Sequence, residues 1–332
     1  MRLRRRMISS AARRSSPDEG AGRQPQQRRQ RTAAALAAAA VFAVAAALPL
    51  AACGDGADGG GAAKSTAAAA PAGVAGSDGS GRGPYVPAGY DRLVFDADFT
   101  EGAPIDWRRW ADRMWYGREG DGGDLRVAHE EAPDLWQLSG PVLKLRLRYA
   151  DGDELRRYVG RSLLSGMLTT DPSLAPSGFA TQYGYFEARL KAPRGPGPWP
   201  AFWLMPKSNR GRDGGEYAEI DILEMMTSTP DRYWASIHYD HDKTSNKAIS
   251  LGFRGDEDFH TYAVSWESDF CIFYVDGRET FRTRTPDDLK QPMYIILTMS
   301  QGGWDKQNKI GPQTPLPAEF AVDYVRVWKR AE

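Results

Sequence analysis

Glu219-Ile220-Asp221-Ile222-Leu223-Glu224 sets three carboxylates into an apolar stretch without a turn residue. Side chains of a β-strand alternate between faces, so Glu219 and Asp221 project one way and Ile220 and Ile222 the other. Glu224 has the opposite parity to Asp221, and a regular strand would send its charge into the core, where an unpaired charge is costly. One extra residue absorbed near Ile222 or Leu223, a β-bulge, returns Glu224 to the face of the other two. Two carboxyl groups ~5 to 5.5 Å apart across a glycosidic bond make the retaining geometry, one attacking and the other protonating the leaving oxygen. A third carboxylate between them can share a proton or hydrogen bond and raise its partner's pKa by like-charge repulsion. The pattern alone leaves a second reading open, an amphipathic strand with a solvated acidic face. Nor does it say which glutamate would attack.

Upstream, Gly197-Pro198-Trp199-Pro200-Ala201-Phe202-Trp203-Leu204-Met205-Pro206 places two tryptophans, a phenylalanine and three prolines just before the acidic strand. Aromatic faces of this kind are what sugar rings stack on. Here the chain resembles glycoside hydrolase family 16, whose laminarinase-like members are endo-β-glucanases. Tyr183 to Lys191 is similar to the strand before that aromatic segment, and Asp258 to Tyr262 with Tyr274-Val275-Asp276-Gly277 to a later hairpin. Asp98 to Gly102 resembles the family's opening segment and Val322 to Trp328 its closing strand, so the likeness runs from about Tyr90 to Lys329. It implies an all-β fold, a concanavalin-like jelly roll of two antiparallel sheets with a concave substrate cleft. It also implies Glu219 as nucleophile, Asp221 as assisting carboxylate and Glu224 as general acid/base. The expected reaction is double-displacement hydrolysis of internal β-1,3 or mixed β-1,3/1,4 glucan linkages. Alternatives are an endo-hydrolase or transglycosylase on a galactan or bacterial exopolysaccharide, and a non-catalytic sugar-binding module. All-β domains of 200 to 250 residues are common, and short β-rich runs recur, such as Val142 to Tyr149 and Ile272 to Val275, the latter turning at the hairpin dipeptide Asp276-Gly277.

The first ninety residues are of another kind. Arginines crowd the start, an alanine-rich uncharged run follows from Ala33, and it ends in Leu50-Ala51-Ala52-Cys53. A basic region, an apolar region and small residues describe a secretory signal over residues 1–52. Leu-Ala-Ala-Cys resembles a bacterial lipobox, which implies lipidation of Cys53 and an extracytoplasmic protein tethered to the membrane by its N-terminal lipid. Residues 53–88, rich in Gly, Ala and Ser, read as a flexible tether, and 89–332 as the catalytic jelly roll. The formal charge of zero hides an asymmetry: residues 1–52 hold ten arginines against Asp18 and Glu19, so the remainder carries a net −8. An acidic mature chain is a poor partner for nucleic acid, and a monomer acting on polysaccharide is expected. With Cys53 acylated, Cys271 stands alone as a small buried residue, and no disulfide is expected.

Trp199 and Trp203 are the first candidates for stacking on sugar. Trp304 is the next, because Gln301-Gly302-Gly303-Trp304 resembles a loop that laminarin-cutting members place over the cleft. Trp266 and Trp328 read as core. His238, one hairpin after the acidic strand, faces either the cleft, where it would bond Asp221 or a sugar hydroxyl, or a core partner. His241 reads as exposed loop and His260 as structural; the active segment does not look built for sulfated or uronic polymers, although Lys207, Arg210 and Arg212 keep such a substrate open. The resemblance implies a structural calcium ion with Asp323 as a ligand; the chemistry itself calls for no cofactor.

Overall fold

The computed structural model of the chain describes residues 74–75, 84–99, 104–120, 122–207, 218–240 and 243–331. The signal region, Cys53, Arg210, Arg212 and His241 lie outside them. Two sheets face each other across one core. In the first, strands run in the order Lys243–Ser250, Arg232–Tyr239, Glu219–Glu224, Pro198–Pro206, Met293–Gln301 and Met167–Thr169, with Ala180–Thr181 also on Met293–Gln301. The second is built around Ala318–Arg330, which pairs with Gly184–Lys191, Leu143–Tyr149 and Tyr90–Asp98. Its pairings are antiparallel except for Leu125–Arg126 beside Leu163–Ser165.

Parity decides which residues fill the space between the sheets. Phe202 and Leu204, Tyr233, Ala235 and Ile237, and Ile295, Leu297 and Met299 point inward and are buried there with Phe186, Val264, Trp266 and Phe320. Their neighbours Trp203, Ser236 and Thr298 occupy the other, open face of the first sheet. Trp266 and Trp328 are buried, as their alternation implies. Burial of Cys271 pushes its thiol up to about 12, which makes it inert. Asp276 and Gly277 both take positive φ, 46° and 72°, closing the expected hairpin.

The bulge falls where the parity of Glu224 requires it. Leu223 pairs with Phe202 and Asp221 with the next residue, Trp203, so Ile222 has no counterpart on that strand. On the opposite side Asp221 pairs with Ser236 and Glu224 with Trp234, again one residue more on the acidic strand, four against three. Ile222 and Leu223 are both 1% exposed and join the core together. Deleting Ile222 should therefore abolish the cooperative unfolding transition or lower its midpoint steeply in a urea titration, because Glu224 would be turned inward. Ile222→Val, which keeps the bulge, should cost only about 1 kcal/mol; equal effects of the two changes would contradict this account.

Candidate active site

The open face of the first sheet collects the acids in successive cross-strand rows. Glu219 lies opposite His238, Asp221 between Ser236 and Trp203, and Glu224 between Trp234 and Ala201. Asp221 is 2% exposed and Glu224 9%, whereas Glu219 is more open. His238 reaches Asp221: its Nε2 lies 3.0 Å from Asp221 Oδ2, and its Nδ1 2.9 Å from Thr244 Oγ1. Burial of the ring disfavours its charge, but the hydrogen bond to Asp221 and the charges of Asp221 and Glu219 outweigh that and raise its pKa to about 9. One donor atom from each of Glu219, Asp221 and His238 fits within a 4.8 Å span, close enough to chelate a cation. The His238–Asp221 contact already pairs acid with base, so the set is read as an acid–base cluster.

Trp203 sits beside Asp221 as floor. It is 7% exposed, donates Nε1 to Thr298 Oγ1 at 3.2 Å, and packs with Met114, Met167, Met205, Tyr294 and Ile296. That leaves little ring face for stacking. The more open indoles lie at the Glu224 end. Trp304 stands nearly perpendicular to Trp199, with ring centres 5.5 Å apart, and to Trp234, at 5.4 Å. Trp234, which the sequence leaves open between core and cleft, shares parity with Ser236 and His238 and could have been assigned to the open face that way.

A second residue that the sequence did not announce holds this end together. Asn308 is fully buried; its Nδ2 donates to the carbonyls of Pro198 and Gly302, both at 2.9 Å, and its Oδ1 accepts from the amides of Gly197 at 2.7 Å and Ser228 at 3.0 Å. Three chain segments that carry or abut the indoles thereby meet on one amide. Gly303 lets the loop approach: at φ 81°, a Cβ there would lie 2.5 Å from Met226 Sδ and 3.2 Å from the Trp199 ring.

Asp323 lies on the other sheet. It is buried, it is the extra residue of a second bulge, and its Oδ2 accepts from Arg189 Nη1 at 2.8 Å. Calcium takes six to eight oxygens, and a carboxylate already facing a guanidinium does not fit that role; calcium at Asp323 stands on the resemblance alone. His260 is structural, with Nδ1 2.7 Å from Asp276 Oδ2 and its ring stacked on Phe253.

A two-sheet antiparallel sandwich that lines its open face with acids and indoles is a carbohydrate-active jelly roll. Residues 147–326, more than half of the chain, match glycosyl hydrolases family 16, and the chain belongs to that family. It is 35% identical over 173 residues to the endo-1,3-1,4-beta-glycanase EglC of Rhizobium meliloti, covering 51% of this chain and 34% of that protein. A beta-glucanase of Rhodothermus marinus is 28% identical over 279 residues, 78% of this chain and 91% of the relative. Among solved structures, the laminarinase of Rhodothermus marinus superposes with a TM-score of 0.59 at 27% identity, over 73% of this chain and 98% of its own. A non-specific endo-beta-1,3(4)-glucanase gives 0.61 at 26% identity, over 74% and 93%. The chain spans about a third of the length of the first two curated relatives it matches.

Asn308→Ala should cost roughly 2–3 kcal/mol, since it leaves buried amides and carbonyls without partners. A lowered unfolding midpoint together with a changed intrinsic tryptophan emission is the expected signature; unchanged emission would mean that Asn308 does not hold the indoles.

Proposed function

We propose that the chain is a retaining endo-hydrolase of β-1,3 or mixed β-1,3/1,4 glucan. The observation that carries this reading is the bulge, which puts Glu219, Asp221 and Glu224 on one open sheet face next to Trp199, Trp234 and Trp304. Family membership and the names of the relatives support the same substrate class.

In this reading Glu219 attacks the anomeric carbon through a carboxylate oxygen while Glu224 gives its proton to the departing glycosidic oxygen, leaving a glycosyl ester on Glu219. Glu224, now a carboxylate, takes a proton from water, and the resulting oxygen attacks the same carbon. The ester bond breaks, Glu219 is restored, and two inversions give net retention. Asp221 lies between the two and shapes the charge that each senses. Half-buried indoles supply the faces on which pyranose rings stack. Proton transfer and ester formation lie within the reach of carboxylates, so the steps need no redox or metal cofactor.

For the N-terminal region we propose export directed by residues 1–52 and lipid attachment at Cys53, with a monomeric catalytic unit held outside the cytoplasm on a tether; the residue pattern supports this. Labelled palmitate should enter the full chain expressed in a bacterium and should be lost in Cys53→Ser. Label persisting in that variant would dismiss the anchor.

Reducing ends should accumulate when the full chain meets laminarin or lichenan, and proton NMR should show the β-anomer released first. Glu224→Gln should lower kcat by roughly 10²- to 10⁴-fold, and Glu219→Gln at least as much, with the fold intact by circular dichroism. Substantial turnover in both variants would refute the assignment of roles. One relative 31% identical over 190 residues is a kappa-carrageenase, so cleavage of carrageenan with silence on glucans would keep the mechanism and replace the substrate.

A further inference from the structure

Phe186 and Ala188 of the Gly184–Lys191 strand point into the core, so Tyr185 and Glu187 face the other side of the second sheet. A piece of chain read from composition as tether covers them there. Val86 packs with Tyr90, Tyr185 and Trp328, and the Tyr85 ring rests against Gly277, where a Cβ would lie 2.8 Å from it. We propose that Glu187 is a proton-operated latch, which holds the Tyr85–Val86 end of the tether against the domain while it carries a proton and releases it on ionising. The latch stands apart from the glycosidase reading, and its effect on reach rests on the tether reading above.

Proton counting carries the inference. The Tyr85 amide lies 3.0 Å from Glu187 Oε2, and the Tyr324 hydroxyl 2.8 Å from Oε1. The Tyr185 hydroxyl lies 2.9 Å from Oε2 and 2.7 Å from the Tyr85 carbonyl oxygen. One amide and two phenols bring three protons to these four contacts. A carboxylate has none to add, so an ionised Glu187 leaves one contact of hydrogen-bond length with two oxygens and no proton between them. A protonated carboxyl supplies the missing one: Oε2 donates to the Tyr185 oxygen, and the Tyr185 hydroxyl donates to the Tyr85 carbonyl.

The charged neighbours do not supply a substitute. On its own strand Glu187 is flanked by Tyr185 and by Arg189, whose Nη1 is held on Asp323. From the Ala318–Arg330 strand it faces Tyr324 and Arg326, and Arg326 gives Nε to Asp96 Oδ1 at 2.9 Å. The His260–Trp266 strand sets neutral Ala263 opposite, and Tyr274 reaches only the Tyr185 ring. Burial outweighs the neutral donors and the charge of Arg326 and pushes Glu187 up to about 7, above its ordinary 4.5. The fastening is therefore fully present below about pH 4.5 and lost as pH rises through about 7. Release would free residues 85–89, ahead of the Tyr90–Asp98 strand, and add at most ~17 Å to the tether.

The test is hydrogen exchange of the Tyr85 amide in the full chain, read by NMR from about pH 5 to about pH 8 and corrected for intrinsic exchange. A ¹³C titration of the Glu187 carboxyl accompanies it. In the wild type the carboxyl should titrate near 7. Protection of the Tyr85 amide should fall about tenfold over that range, while the amides of the Gly184–Lys191 strand keep theirs. Glu187→Gln, neutral throughout, should abolish the dependence. Tyr324→Phe removes a donor that favours the ionised form and should move the fall up by about one pH unit; it decides the matter if Glu187→Gln fails to fold. A flat Tyr85 profile, a fall shared by the Gly184–Lys191 amides, a fall that persists in Glu187→Gln, an unmoved one in Tyr324→Phe or a carboxyl titrating at its ordinary value would each overturn the latch. Glucan cleavage and palmitate labelling are read separately, so failure of the function or of the anchor leaves this test intact.

Discussion

The extra residue at Ile222 is the constraint from which the rest of the open face follows. A flat strand has one side for charge and one for the core, and Glu219-Ile220-Asp221-Ile222-Leu223-Glu224 satisfies that division only if two consecutive apolar residues turn inward together. Ile222 and Leu223 do so. The flanking strands both absorb the shift, Phe202 and Trp203 on one side and Trp234 to Ser236 on the other. Because a slip of one residue would flip every side chain to the other face, the bulge fixes more than Glu224. It also sets Trp234 beside that glutamate and His238 beside Glu219.

What could be read from the residues is what depends on parity and on short spans. The bulge, the inward Trp266, the buried Trp328, the Asp276-Gly277 turn and the buried Cys271 are all consequences of neighbours in sequence. His238 lay at the edge of that reach: parity offered it to the cleft, but the choice of Asp221 as partner needs the register between two strands. Asn308 was out of reach, since its bonds join Gly197, Ser228 and Gly302, segments brought together only by the closed fold. Trp203 shows the opposite failure. Its sequence setting resembles a stacking platform, yet the methionines of its cluster and Thr298 cover it.

The fold also holds a buried acid on its far side, and the contrast clarifies the site. Glu187, fully buried on the second sheet, accepts from the Tyr85 amide at 3.0 Å, the Tyr185 hydroxyl at 2.9 Å and the Tyr324 hydroxyl at 2.8 Å. Tyr85 and Val86, read from composition as the end of the tether, are thereby fastened to the domain, and the missing side chain of Gly277 leaves room for the Tyr85 ring. Neutral donors do not fully offset desolvation, and burial pushes Glu187 up to about 7 although its hydrogen bonds pull the other way. Its stabilising share is therefore present at low pH and lost as pH rises through about 7.

Two solutions to the same problem thus occur in one molecule. Where an acid serves only structure, hydroxyls and an amide suffice and the carboxyl is allowed to hold its proton near neutrality. Asp221 is almost as deeply buried but meets a histidine, and there it is the imidazole whose pKa climbs, because the hydrogen bond and charge of the acid outweigh the ring's own burial. A neutral clamp like the one around Glu187 leaves a buried acid to titrate near neutrality, whereas the acids beside His238 hold a proton on that ring up to about pH 9.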